Sequence, residues 1–380
     1  MRSWESREDW TMRSLIVTDS NIWTAETEYA LSVATAERAM GWDVVVAAPP
    51  SSDAAEEAAR ELEVVRLPGS EPGRSPADLL ADARFLSALV RERGFDVVHS
   101  SRSAPHVACA LAVGGRAPIV HLRGGASRPS SGPLNRMLYR RMTASVVVSS
   151  GRIRRWVTER LGMPSGRVHR IFAPIDVDRF ASAKGVGVRE SLGIDPDARL
   201  VVNVARLAPV KGQHVLVEAM AEVVAERHDV VLVLVGEPWS GEPEAVRSLA
   251  RRLGIDGSVI AAGRRSDVPQ ILVEADVCVS SSLGSEENSR AVSEYMAAGR
   301  PIVATAVGVV PELLDGGRNG ALVEPGDPAG LASSIAELLD APGRGAAMGE
   351  RASSFAREHL SREAFREGIA NVLGNIGVST

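Results

Sequence analysis

The stretch SEENSRAVSEYMAAGRPIVAT, residues 285–305, sets the reading of the whole chain. In it Glu286 and Glu294 are separated by seven residues. Asn288 or Ser289 can cap a helix, Gly299 can end it, and Pro301 forbids its continuation. The spacing therefore predicts one carboxylate just before a helix start and the other about a turn and a half into it. Pro301–Thr305 then reads as a short buried strand. The free amides of a helix N-terminus attract phosphate, while carboxylates accept hydrogen bonds from sugar and ribose hydroxyls. Both at once describe a site for a nucleotide sugar. Two glutamates at this distance on a surface helix are also an ordinary solvated pattern, so the surroundings must carry the reading.

Outward from that block, strand-like runs alternate with longer helical patterns, which predicts parallel α/β layers. The expected strands are Leu15–Thr18, Asp43–Ala48, Glu63–Leu67, Asp96–His99, Pro118–Leu122 and Ser145–Ser149 in the first half. The second half offers Leu200–Val204, Val230–Val235, Val259–Ala261, Val277–Ser280 and Ile302–Thr305. The run Val230–Val235 is apolar on both faces, as a central parallel strand covered by helices must be. At 380 residues the chain exceeds one ordinary core, and two domains of roughly 150–200 residues are expected. A small-residue linker at Ala181–Gly187 is the natural boundary.

Bulk composition excludes several classes. No apolar run approaches the roughly 18 residues a spanning helix needs. The N-terminal MRSWESREDWTMRS is polar and of mixed charge, unlike a signal peptide; residues 1–12 read as a disordered leader, with Met12 near the structural start. Cys109 and Cys278 are isolated in apolar settings, which predicts reduced, buried thiols and a cytoplasmic protein. A formal net charge of −5 argues against a nucleic-acid binder. Basic residues are nonetheless uneven: between Arg136 and Arg170 lie nine arginines against the single acid Glu159. Such a block suits peripheral contact with the anionic inner face of a membrane, a phosphorylated acceptor, or simply solvated helix faces.

The longer block 285–327, continuing AVGVVPELLDGGRNGALVEPGD after Thr305, resembles nearly position by position the donor-site block of family-4 glycosyltransferases. That pattern runs E-x7-E, A-x-G-x-P-V-V-A-T, P-E, N/T-G and P-G-D. The resemblance implies an α/β GT-B fold, two Rossmann-like domains facing across a cleft, and retaining transfer of a sugar from a nucleoside diphosphate. It implies an acceptor-binding domain over 13–184, a donor-binding domain over 185–360, and a C-terminal segment 361–380 whose helix, about Arg362–Leu373, returns to the first domain. Ile171–Phe180 resembles the family's hinge, with Ala173-Pro174 where Asn-Gly is usual. Asp176 and Asp178 form a D-x-D string within this hinge, so no metal is expected there and no cofactor beyond the nucleotide-sugar co-substrate.

Composition adds a separate signal. Lys184 and Lys211 are the only lysines among 43 basic residues, so a lysine invites a reason. Arg206 and Lys211 sit in NVARLAPVKG, residues 203–212, after an expected strand, where a guanidinium and an ammonium can clamp a diphosphate. The segment resembles the family's R-L-x-x-x-K-G loop. By resemblance, Gly236 and Glu237 follow the second donor strand and Arg264 lies in the loop against the base. The amides of Ser289, Arg290 and Ala291, with Asn288 beside them, receive the distal phosphate; Glu286 holds hydroxyls of the transferred sugar and Glu294 the ribose diol. The family usually carries Gly-Phe-Gly-Leu-Val over 287–291; Glu-Asn-Ser-Arg-Ala stands here. In the acceptor half, Thr24 lies where the family often has a Gly-Gly loop. Arg123 and Gly124 stand in the usual T-x-H-G turn, with His121 two residues earlier. Arg123 stays protonated and cannot be a base, but can stabilise a leaving diphosphate or an anionic acceptor. His121 and His99, each at a strand end, are either core histidines or substrate contacts. The acceptor is expected to be a lipid-linked or cell-envelope glycan precursor or a small natural-product scaffold. A nucleotide-sugar 2-epimerase and a non-catalytic binding protein on the same fold are the competing classes.

Overall fold

The computed structural model describes residues 11–50, 52–69, 75–125, 128–238, 240–284 and 286–378, so most of the expected leader lies outside the described residues. The chain forms two compact units, Met1–Ala173 with Phe365–Thr380, and Pro174–Ala364. The first boundary lies upstream of the small-residue linker, because the short helix Val177–Ala181 packs on helices of the second unit. Asp176 caps that helix by accepting from Arg179 N at 3.2 Å. Asp176 and Asp178 also pair with Arg362 and Arg357 at 3.4 and 3.6 Å.

In the first unit the strands are β1 (Arg13–Val17), β2 (Asp43–Ala48), β3 (Glu63–Arg66), β4 (Val97–Ser101), β5 (Ile119–Arg123), β6 (Ser145–Val148) and β7 (Val168–Arg170). They form one parallel sheet in the order β3-β2-β1-β4-β5-β6-β7. The second unit has β8 (Arg199–Val204), β9 (Val230–Val235), β10 (Val259–Gly263), β11 (Val277–Ser280), β12 (Ile302–Thr305) and β13 (Ala321–Val323). Its parallel order is β10-β9-β8-β11-β12-β13. Each sheet reverses its order once, between β1 and β4 and between β8 and β11. The edge strands β7 and β13, three residues each, were not expected from sequence. An edge strand is half-exposed and short, so it leaves little apolar signal.

Strand residues alternate between two cores, as the period of two demands. Ile16, Val44 and Val46 face one cluster, while Leu15, Val17 and Val45 face the other. Both faces are therefore covered, which explains the almost continuously apolar strands. Cys109 and Cys278 are free and fully buried, and burial pushes both thiols up. Among the described residues no helix is long and apolar enough to cross a membrane.

The last helix, Arg362–Asn375, places Phe365, Ile369, Val372 and Leu373 on one face, spaced by a helical period. All four join the cluster of Ile16, Tyr29 and Val46. The Phe365 ring meets Tyr29 edge-on at 5.5 Å, and the Tyr29 hydroxyl donates to Ile171 O at 2.7 Å. The strand β1 and this last helix thus share one core. Phe365→Ala is expected to cost about 3–5 kcal/mol and lower the melting temperature by roughly 10 °C. Glu367→Ala, on the exposed side of the same helix, should leave thermal unfolding unchanged. Calorimetry of both variants checks this.

Candidate functional site

In the second unit every sequence-predicted donor residue lies at or just beyond the carboxyl end of a strand, around the point where the strand order reverses. Open parallel sheets bind ligands at such a point, because the loops of the flanking strands turn away in opposite directions and leave a crevice. The loop after β8 carries Arg206, exposed, and Lys211, half-buried in a single turn of 3-10 helix, Pro209–Lys211. It is tied down at both ends: Gln213 Nε2 donates to Arg206 O at 3.1 Å, and Ser281 Oγ donates to Lys211 O at 3.0 Å. Gly212 follows at φ +65°, and a Cβ there would lie 2.1 Å from Ser281 O. The lysine loop and the loop after β11 can approach only because this residue is glycine.

That approach joins two residues 75 apart in sequence. Lys211 Nζ donates to Glu286 Oε1 at 2.5 Å, and Ser282 Oγ donates to the same oxygen at 2.6 Å. The Glu286 backbone is held as well, its carbonyl accepting from Val309 N at 2.8 Å. Glu286 is 7% exposed, so the carboxylate of this ion pair is nearly out of water while the lysine stays partly exposed. Beside it begins the helix Arg290–Ala297, with Ser289 as its cap residue. The predicted start and stop of the helix are thus observed, Gly299 taking φ +65° just past the end, but the expected side-chain cap is not made. Ser289 takes φ +42°, a left-handed conformation uncommon in a non-glycine residue. Its side chain makes no cap bond, and its buried Oγ has no hydrogen-bond partner among the described residues. The first amides of a helix have no intrahelical acceptor, and such an end favours an anion. Asn288 is half-buried beside them.

Glu294 lies within the helix and accepts from Arg290 Nε at 2.9 Å, a bond between successive turns. Gly236 N donates to Gly263 O at 2.9 Å and Leu207 N to Glu237 O at 2.9 Å, so the loops after β8, β9 and β10 are laced side by side. Arg264, next in the last of them, is exposed. Tyr295 is a part the sequence did not signal. Its buried hydroxyl accepts from Val204 N at 2.7 Å and donates to Val279 O at 3.3 Å, locking the helix to β8 and β11.

In the first unit the candidates separate. His99 is 1% exposed and its Nε2 lies 2.6 Å from Oε1 of fully buried Glu37. His121 is fully buried, its Nδ1 donating to Ser100 O at 2.9 Å. Its ring stacks on His106 at 3.8 Å, with Tyr139 edge-on at 5.5 Å. His106 Nε2 in turn meets Thr143 Oγ1 at 2.7 Å. Burial, aided by the Arg123 charge, holds His106 down to about 3; burial, then His106 and Arg123, keeps His121 well below the usual histidine range. His99 and His121 are core groups, which corrects the expectation that they contact substrate: both strands are covered on both faces. Arg123 is fully buried among these rings. Thr24 caps the helix Ala25–Ala39, its Oγ1 accepting from Thr27 N at 3.2 Å. Gly124 lies flat on Tyr29, where a Cβ would come within 2.5 Å of the Tyr29 Cβ.

The sequence missed a charged group at this unit's own reversal point. Arg102, at φ +75° just after β4, reaches Asp19 and Glu26 at 3.4 and 3.6 Å. These residues are far apart in the chain and carry no local motif. A non-glycine residue held in this region costs of order 1–3 kcal/mol and is found preferentially at functional sites.

Comparison with known proteins agrees with this geometry. Residues 198–341 match the family described as Glycosyl transferases group 1, and residues 27–179 match Glycosyltransferase Family 4. The chain is 38% identical over 211 residues to D-inositol 3-phosphate glycosyltransferase 2 of Catenulispora acidiphila, covering 53% of this chain and 48% of that protein. It is 28% identical over 302 residues to N-acetyl-alpha-D-glucosaminyl L-malate synthase of Bacillus anthracis, covering 76% of each. The match thus spans about half the length of the D-inositol 3-phosphate relatives. Among solved structures, a glycosyltransferase from Rickettsia africae has a TM-score of 0.85 at 18% identity, covering 97% of this chain and all of that one. An Anabaena protein in complex with UDP scores 0.80 at 21% identity, covering 96% and 100%. At these identities the likeness speaks for the fold, the GT-B type with two Rossmann-like units.

The buried histidines make a pH prediction. The folded state keeps His106 neutral while the unfolded chain protonates it near 6.5, so the unfolded state binds more protons between about 3 and 6.5. This contribution to stability is complete above pH 6.5 and is lost progressively as pH falls toward 3. Urea midpoints measured at pH 7 and pH 4 should therefore converge for His106→Gln relative to the native chain, and an unchanged slope would refute the assignment. The chain carries a Glycosyltransferase Family 4 domain in its first half and a Glycosyl transferases group 1 domain in its second.

Proposed function

We propose that this protein is a retaining, metal-independent glycosyltransferase that moves a sugar from a nucleoside diphosphate sugar to an acceptor hydroxyl. The observation that carries this reading is the meeting of Lys211, Ser282 and Glu286 beside the N-terminus of the helix Arg290–Ala297. A diphosphate and a hydroxylated sugar are what such a group can hold. Solved proteins of this fold with bound UDP and UDP-glucose support a nucleotide-sugar donor.

Departure of the diphosphate leaves an oxocarbenium-like sugar and builds negative charge on phosphate oxygen. Arg206, Lys211 and the amides at 289–291 stabilise that charge, and preorganised donors in a water-poor site are the largest lever available. In the ligand-free protein Glu286 neutralises Lys211. When donor binds, Lys211 turns its charge to the diphosphate and Glu286 accepts from the sugar hydroxyls. Glu294 holds the ribose diol, and the departing phosphate oxygen takes the acceptor's proton. This front-face course requires no separate base, in keeping with the burial of His121. It also requires no metal: Asp176 and Asp178 are engaged in a helix cap and in ion pairs. We place the reaction in the cytoplasm, where nucleotide sugars are at hand. A lipid-linked glycan precursor and a small hydroxylated scaffold both satisfy the acceptor's role.

Two expectations test this. Lys211→Ala and Arg206→Ala should each lower turnover by about two to three orders of magnitude, as loss of one charge-stabilising donor typically does, with melting temperature retained. The native rate, read as nucleoside diphosphate released in the presence of EDTA, should be unaffected by the chelator. Wild-type-like rates in either variant, or a requirement for added divalent ion, would remove the assignment. Separately, Glu294→Gln should weaken binding of the bare nucleoside diphosphate by about 1.5–3 kcal/mol, the worth of a charge-assisted hydrogen bond. Glu286→Gln should leave that affinity intact yet slow transfer. Calorimetric titration giving the opposite pattern would reverse the two roles.

A further inference from the structure

We propose that the exposed face built by residues 133–142 and 151–160 of the first unit docks the protein onto an anionic lipid surface. This face is independent of the transferase reading and lies on segments that carry none of the proposed donor residues.

The helix Pro133–Met137 runs directly into a wider π-helical turn, Leu138–Met142. Leu138 and Tyr139 are buried and anchor it. Its other side puts apolar side chains into water: Leu134 is 77% exposed, Met137 49% and Met142 39%. Arg136, Arg140 and Arg141 are exposed among them. Leu134, Met137 and Arg141 recur at helical spacing, so apolar and cationic groups share one face. The second segment repeats the form, Gly151–Arg155 passing into the π-turn Trp156–Arg160. The two are adjacent, because Arg136 Nε donates to Arg160 O at 3.1 Å. Trp156 lies within cation–π reach of Arg128 and Arg160, whose guanidinium carbons are 5.0 and 5.9 Å from its ring centre, and its indole N–H donates to Pro129 O at 3.3 Å.

Charge is the second observation. Among the described residues, none of Arg128, Arg136, Arg140, Arg141, Arg155 and Arg160 makes an ion pair with a carboxylate. Elsewhere on this unit some surface arginines are matched, as in Arg13–Asp43, Arg38–Glu61 and Arg93–Glu63, and unmatched ones such as Arg84, Arg91 and Arg116 lie apart from this face. The chain as a whole carries −5, so six unmatched arginines gathered on two adjoining segments are a local surplus of positive charge. Anionic headgroups supply the missing counter-charge. Nucleic acid or a free phosphate would also do so, but would leave Leu134, Met137 and Met142 in water. A bilayer interface takes those side chains into its headgroup boundary while the arginines stay at the phosphate level. The combination selects lipid.

The test is sedimentation of the full chain with phosphatidylcholine vesicles and with vesicles that also contain phosphatidylglycerol. Binding is expected only to the second kind, and should weaken as salt is added. Leu134→Glu combined with Arg141→Glu should lower partitioning by at least about tenfold, since both an apolar contact and a cation are lost. Arg60→Glu, in the turn after the helix Asp53–Ala58, should leave it unchanged. If the double variant unfolds, Leu134→Glu alone decides the matter, because that side chain is largely in water. Equal binding to both vesicle kinds, equal binding by native and variant chains, or binding of single-stranded RNA without vesicle binding would each overturn the proposal.

Discussion

Parallel strands cannot be joined by tight turns, so every strand of this protein returns through a crossover helix and ends on the same side of its sheet. Each sheet grows in both directions from a central strand, β1 in one unit and β8 in the other. The loops after the strands flanking each reversal therefore diverge, and the chain's reactive groups collect in the gaps. In the second unit the gap holds Lys211, Glu286 and the start of the helix Arg290–Ala297. In the first it holds Arg102 with Asp19 and Glu26.

The Lys211–Glu286 pair illustrates why such a site is poised for ligand. Two opposite charges, the carboxylate nearly out of water and the lysine partly exposed, lose hydration that their attraction only partly restores. A third group with negative charge can therefore take over the lysine at modest cost, provided the carboxylate finds hydroxyl donors in exchange. Ser282 already supplies one such donor to Glu286. Backbone positions are held independently of the side chains: Gly212 lets the two loops touch, while Val309 N fixes the Glu286 carbonyl. Rearrangement of the ion pair can then proceed without rebuilding the loops.

The first unit uses its polar residues differently. Its strands are covered on both faces, so His99, His106 and His121 are drawn inside, where one ring nitrogen of each meets Glu37, Thr143 and Ser100 respectively. Burial holds His106 and His121 neutral, and their stacked rings pack against Tyr139. The basic segments Pro133–Met142 and Gly151–Arg160 carry Arg136, Arg140, Arg141, Arg155 and Arg160 on their exposed side.

The alternation of strands and helices was legible along the chain, because apolar runs bounded by glycine and proline report local geometry directly. The helix after Glu286 was legible too, from its start beyond Ser289 to its stop at Gly299, though Ser289 makes no capping bond. Lys211 stood out by composition, and Glu286 and Glu294 by spacing. What the chain order could not show were pairings made across crossovers: Lys211 with Glu286, His99 with Glu37, Arg102 with Asp19, and Tyr295 with Val204 and Val279. The edge strands β7 and β13 escaped for another reason, being short and partly exposed, so their hydrophobic pattern is weak. Local sequence determines which residues can form a helix, a strand or a turn. Which strand ends become neighbours, and so which charges meet, is decided only when the crossovers close and both faces of each sheet are buried.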